Sequence, residues 1–197
     1  MNLFASRWSS VAVLAVAALG LSWGRADAGE IADRAAEADS LIAVGKPAEA
    51  LTAFDKAAEA FWDASPLQFR VALLADEVSG FGAYKAHGDA PFKEGDKLTL
   101  YVEPVGFGTQ QVGNDVRSAL AADVEIHTPG GLVLAKAENF GGVEWTGKRR
   151  EVHATVTVPL PKLKPGEYQL VVTFRDLYSP KTATETLPFT IAEDIEQ

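Results

Sequence analysis

Three hydrophobic patterns follow one another along the chain. The first is continuous: Val11 to Trp23 is a 13-residue apolar run broken only by Ser22, with Arg7 ahead of it and Ala26-Asp27-Ala28 behind it. The second recurs every three to four residues. Ile31, Ala35, Ala38 and Leu41-Ile42 share one helical face between Glu30 and Val44. Ala50-Leu51, Phe54, Ala57-Ala58 and Phe61 share another between Pro47 and Asp63. The third alternates. Leu98, Leu100 and Val102 are offset from Thr99, Tyr101 and Glu103. Val152, Ala154, Val156 and Val158 are offset from His153, Thr155 and Thr157. Tyr168, Leu170, Val172 and Phe174 are offset from Gln169, Val171 and Thr173.

The continuous run is shorter than the ~20 residues that cross a bilayer. A basic residue before it and a small-x-small triplet after it predict a secretory signal peptide over residues 1–28, cut near Ala28, and a periplasmic or secreted protein. An uncleaved segment would be the protein's only tie to the membrane. The period of 3.6 predicts a helical hairpin over residues 29–65. Gly45 stops its first helix by adopting positive φ, and Pro47 opens the second. The stripe Leu51, Phe54, Ala58, Phe61 and Trp62 is too apolar for one hairpin to bury. It is expected to dock on the following domain or on a second copy of the chain.

The period of two predicts an antiparallel β-sandwich over residues 66–192. Its seven strands lie near Phe69–Val78, Lys97–Phe107, Ala121–His127, Leu132–Ala137, Val152–Leu160, Tyr168–Arg175 and Thr182–Ile191. Pro129-Gly130-Gly131, Pro165-Gly166 and Ser179-Pro180 mark turns between them. Phe92 is expected in the core as the chain turns through Glu94-Gly95-Asp96. Asp176 is expected to cap the loop that follows it. Residues 193–197 form a short acidic tail. The fold class is therefore mainly β, with a signal peptide and a helical hairpin ahead of the sandwich.

Two resemblances add to this reading. Ala38, Leu41, Gly45, Ala50, Phe54 and Ala57, and above all the stretch Gly45 to Ala57, resemble one tetratricopeptide repeat. Arg34 stands where that repeat carries a large residue, and Pro66 lies further from Ala57 than its proline does. Gly80-Phe81-Gly82-Ala83-Tyr84, Phe92 to Glu103, Pro165 to Leu170 and Leu187 to Ile191 together resemble a family of exported bacterial proteins with an immunoglobulin-like sandwich. That second resemblance implies the fold over Phe69 to Ile191 and carries no catalytic residues with it.

Composition narrows the chemistry. The chain has no cysteine, which removes disulfides, thiolate metal sites and thiol nucleophiles. Its net charge is −9, and acids outnumber bases in the hairpin as well as in the sandwich, which argues against a nucleic-acid partner. No cofactor is implied, since the glycines around Phe107 lack the helix-opening partner of a phosphate loop. His87, His127 and His153 do not show metal-ligand spacing. His127 and Glu125, on one strand face, are the best available pair, and His127 and His153 could be neighbours across two strands. Lys148-Arg149-Arg150, after Trp145, is the one basic run. It reads either as a solvated turn or as a contact with an anionic envelope surface.

The expected function is non-catalytic interaction or scaffolding, with a protein or cell-envelope partner bound through the sandwich. Self-association through the hairpin is an open reading. Phe81, Tyr84, Tyr101, Glu103 and Phe107 are the candidate surface, an aromatic patch with one acid suited to an extended peptide or a sugar ring. The alternatives are a carbohydrate-binding module, or a carboxylate-based envelope enzyme or accessory domain with Glu103, Asp123 and Glu125 in a cleft.

Overall fold

The computed structural model describes residues 27–148 and 150–193. Residues 1–26, which hold nearly all of the expected signal peptide, Arg149 and the last four residues of the acidic tail lie outside it. Two helices are followed by nine strands. Helix α1 spans Asp27–Ala43 and α2 spans Pro47–Ala64. They pack on each other through small side chains, with Ala38, Ala50, Ala53 and Ala57 buried between them. Gly45 takes φ 73°, and the amides of Gly45 and Lys46 return to the carbonyls of Ile42 and Leu41, closing α1 as its sequence predicts. Pro47 stands in the first turn of α2, where a missing N–H costs nothing.

The strands are β1 (Gln68–Gly80), β2 (Ala83–Ala86), β3 (Lys97–Val105), β4 (Gln110–Val112), β5 (Asp115–His127), β6 (Val133–Thr146), β7 (Ala154–Pro159), β8 (Gly166–Asp176) and β9 (Thr182–Ile191). One sheet runs β2-β1-β3-β7. The other runs β4-β5-β8-β9, with β6 also paired to β5. Every pairing between named strands is antiparallel. The inward rows read from the alternation meet in a single core. Leu98, Leu100, Val102, Val156 and Val158 of the first sheet pack with Leu120, Val124, Ile126, Leu170, Val172 and Phe174 of the second. The molecule is thus mainly β, with two antiparallel sheets layered as in a β-sandwich.

The layers meet differently at their two sides. Where β1 approaches β9, the seam is strapped. Phe92 is buried as expected, forms a parallel bridge to Ile191, and exchanges backbone bonds with Thr190 and Ala192. Where β6 runs beside β7, no backbone bond joins the sheets among the described residues.

Among the described residues, the hairpin meets the sandwich through the last two turns of α2. The Trp62 indole N–H donates to the Phe107 carbonyl at 2.8 Å, and its ring meets Phe107 edge-on at 5.0 Å. The Lys181 ammonium donates to the carbonyls of Asp63 and Gly106 at 2.8 and 2.7 Å. Gly106 sits so close to the chain that a Cβ there would lie 2.2 Å from the Pro66 carbonyl oxygen. Of the two expected partners of the stripe, the sandwich takes Trp62 and leaves Leu51, Phe54 and Phe61 with more than half their surface in water. Alpha-helical geometry explains the difference. The sandwich touches one end of an 18-residue helix that extends away from it.

Candidate functional site

The expected patch divides between two places, and neither is an open aromatic surface. Tyr101 and Glu103 do lie on the face of β3 that points away from the core, as their spacing requires. That face is covered. Beyond Ala75, β1 leaves β3 through bulges and pairs with β2, and the β1–β2 turn curls over β3. The Gly82 amide at that turn donates to the Tyr101 hydroxyl at 2.8 Å, and this hydroxyl donates to Glu103 Oε1 at 2.7 Å. The Tyr84 ring stacks on Tyr101 at 4.5 Å from one direction and the His153 ring at 5.6 Å from another. Tyr101 is left with 0% of its surface exposed and Glu103 with 6%. Of the five candidates only Tyr84 lies at the surface, with Phe81 half-buried at the turn beside it.

Phe107 belongs to the core. It is 2% exposed, held between Trp62 and Trp145, whose ring lies 5.4 Å away and nearly parallel. Its flanking glycines are structural. Gly106 permits the approach of Pro66, and the Gly108 amide donates to the buried carboxylate of Asp176. Asp176 also accepts from the Tyr178 amide at 2.9 Å and the Ser179 hydroxyl at 2.7 Å, the loop-capping role read from its position.

The basic run serves the same junction. Lys148 pairs with Glu59 of α2 at 3.0 Å, and the Arg150 guanidinium lies 5.3 Å over the Trp62 ring. Both cations stay exposed at a bend beside the half-buried Trp145, as the solvated-turn reading expects, and both also reach α2.

The remaining candidates Asp123, Glu125 and His127 are tied into pairs. His127 and Glu125 are 2.7 Å apart, as their shared face predicts, and Lys136 lies 3.3 Å from the same carboxylate. His127 is in β5 and His153 precedes β7 in the other sheet, so the two are not cross-strand neighbours. Asp123 accepts both the Asn139 amide at 2.7 Å and the Arg175 guanidinium at 2.9 Å. The Arg175 hydrogen bond and then the Asn139 amide hold Asp123 below its ordinary range. The His127 and then Lys136 hydrogen bonds do the same for Glu125. Both are thus kept ionised, the opposite of what a proton-donating carboxyl requires. Among the described residues, no three His, Asp or Glu side chains converge as a metal set.

The feature the sequence missed is the unstrapped seam. Between β6 and β7 a cleft of about 290 Å³ opens toward the core. Ala135, Ala137 and Phe140 line one wall and Val158, Leu160 and Pro161 the other, with Val124 and Ile126 at its base and Lys136 at its rim. The adjacent strand β6 is 14 residues long, is paired on one side only, and carries the exposed apolar residues Val133, Leu134 and Phe140, with Leu132 just before it.

No family model matches the chain, and none of the curated proteins compared with it matches either. Among the described residues, no helix is long and apolar enough to cross a membrane.

Proposed function

We propose that the protein is an exported, periplasmic, non-catalytic interaction or scaffolding protein, and that its sandwich binds an extended segment of a protein or cell-envelope partner at the β6–β7 seam. The observation that carries this is the apolar cleft beside an unpaired edge. A strand's outer N–H and C=O groups template an incoming strand, and a pocket for every second side chain supplies the choice of partner. The cleft, lined almost wholly by carbon, takes an aliphatic or aromatic side chain. Export rests on the leader, with its apolar run and small-x-small triplet. The immunoglobulin-like reading is supported by the two antiparallel sheets over one core. The tetratricopeptide-like reading is supported by Gly45 at the turn and by Ala38, Ala50 and Ala57 between the helices.

The test is site-specific photocrosslinking in the exporting cell. A photoreactive side chain at Phe140 should give a discrete covalent adduct, and one at Asp89, beyond the strapped seam, should not. Ala137→Trp, which fills the cleft, should remove the Phe140 adduct from a protein that still folds. Absence of any Phe140 adduct, or one indifferent to Ala137→Trp, overturns the seam as the binding site. The intact mass of the exported chain should correspond to a start near Gly29, and full-length protein in the membrane fraction would overturn cleavage.

A further inference from the structure

We infer that the helical hairpin is a self-association surface, whose occupant is the same face of a second copy of this chain. Ile42, Val44, Leu51, Phe54 and Phe61 are 57% to 68% exposed. Ile42, Leu51 and Phe54 border a groove of about 730 Å³ between the two helices, floored by Ala35, Ala38 and Ala50. An amphipathic helix is stable with its apolar stripe covered, and the sandwich, whose described contacts reach α2 only from Glu59 onward, leaves this one bare.

Three features select a second copy. The face is self-complementary: bulky Phe54 and Leu51 stand beside a floor of alanines, so the knob of one copy fits the hole of the other under two-fold symmetry. The area is sufficient. Ile42, Leu51 and Phe54 expose on the order of 400 Å² of apolar surface per copy, against about 800 Å² of total surface per partner in an ordinary stable interface, and the alanine floor, Pro47 and the helix backbones add to it. The charge is also compatible. Asp39 is the one charged residue lining the groove, so it offers no acidic row to draw a basic helix. Of the hairpin's other acids, Glu30, Glu49 and Glu59 pair with Arg34, Lys46 and Lys148. Association of two helix pairs would form a four-helix layer with a sandwich at each end.

The exported protein can be examined by light scattering across roughly 1 to 100 μM, the weak end of what such areas support. The mass should move from that of the monomer to twice it, and the dimer should tighten rather than loosen as salt rises, because two copies of net negative charge repel and apolar burial is not screened. Phe54→Asp and Leu51→Lys, both at positions already wet in the monomer, should leave a folded monomer at every concentration. Leu177→Asp, at an exposed apolar residue on the sandwich, should leave the dimer intact. Because the chain has no cysteine, Leu51→Cys offers a unique thiol. A flexible bis-maleimide should join two Leu51→Cys copies and should not join two Leu177→Cys copies. A monomer at 100 μM, a dimer that survives both hairpin substitutions, or a dimer broken by Leu177→Asp overturns the inference. The seam reading does not depend on it, because the Phe140 adduct is scored separately.

Discussion

The phenol of Tyr101 has two partners in a place that water does not reach. It accepts from the Gly82 amide and donates to Glu103, under the rings of Tyr84 and His153. Burial first, and then the hydrogen bond to Glu103, push its pKa up to about 12. Above about pH 10 the unfolded chain gives up this proton while the folded one keeps it, so stability falls as pH rises toward 12, and below pH 10 the group contributes no pH dependence. Tyr101→Phe should flatten that alkaline limb in urea titrations at successive pH values. At neutral pH the same variant leaves an amide and a carboxylate without their partner and should cost about 1–3 kcal/mol. An unchanged alkaline limb would show that another group sets it. A period of two puts Tyr101 and Glu103 on the face away from the core, and the structure agrees. It does not reveal that another piece of chain folds over that face.

That covering piece is an element the pattern could not announce. Strand β2 is Ala83-Tyr84-Lys85-Ala86, four residues without a β-branched side chain, and it lies outside the core rows. The longer strands fall where the alternation predicts them, because buried Leu, Val and Phe set the register of β3, β5, β7 and β8. Strands β5 and β6 are longer than predicted, since Gly141 and Gly142 interrupt the apolar pattern while their backbones continue the ladder. Between them the ladder is bulged. Asp123 grips the Asn139 amide and Arg175, and Asn139 takes φ 51°. Asp123→Ala should loosen this bulge and speed amide exchange at Glu138–Phe140 while the β8–β9 ladder stays protected. Uniform exchange along both ladders would deny Asp123 that local role. The seam was illegible for a related reason. Side-chain rows show which residues face inward, and the gap left between two sheet edges depends on how the layers close.

At the scale of the whole molecule the hairpin and the sandwich are legible as separate patterns, and their junction is not. Trp62, Phe107, Trp145, Arg150 and Lys181 are spread over 120 positions and meet only because β5, β6 and β8 bring the later ones back. Gly106 is the tightest point of that junction. It has φ 73° and no room for a Cβ against Pro66, so Gly106→Ala should cost at least about 2 kcal/mol from left-handed strain and displaced backbone together. Trp62 and Trp145 are the only indoles after Trp23, so the loss should be visible in intrinsic fluorescence at lower urea. Lys181 tests the mechanical role more directly. Its ammonium ties Asp63 at the end of α2 to Gly106 at the end of β3, so it holds the angle at which the hairpin leaves the sandwich. Lys181→Met keeps most of the side-chain stem and removes both bonds. Amide exchange should accelerate from Asp63 to Leu67, and solution scattering should show a wider spread of hairpin orientations, while protection in β5 and β8 is retained. If exchange rises equally in the strands, Lys181 supports the whole fold rather than the set of the hairpin upon it.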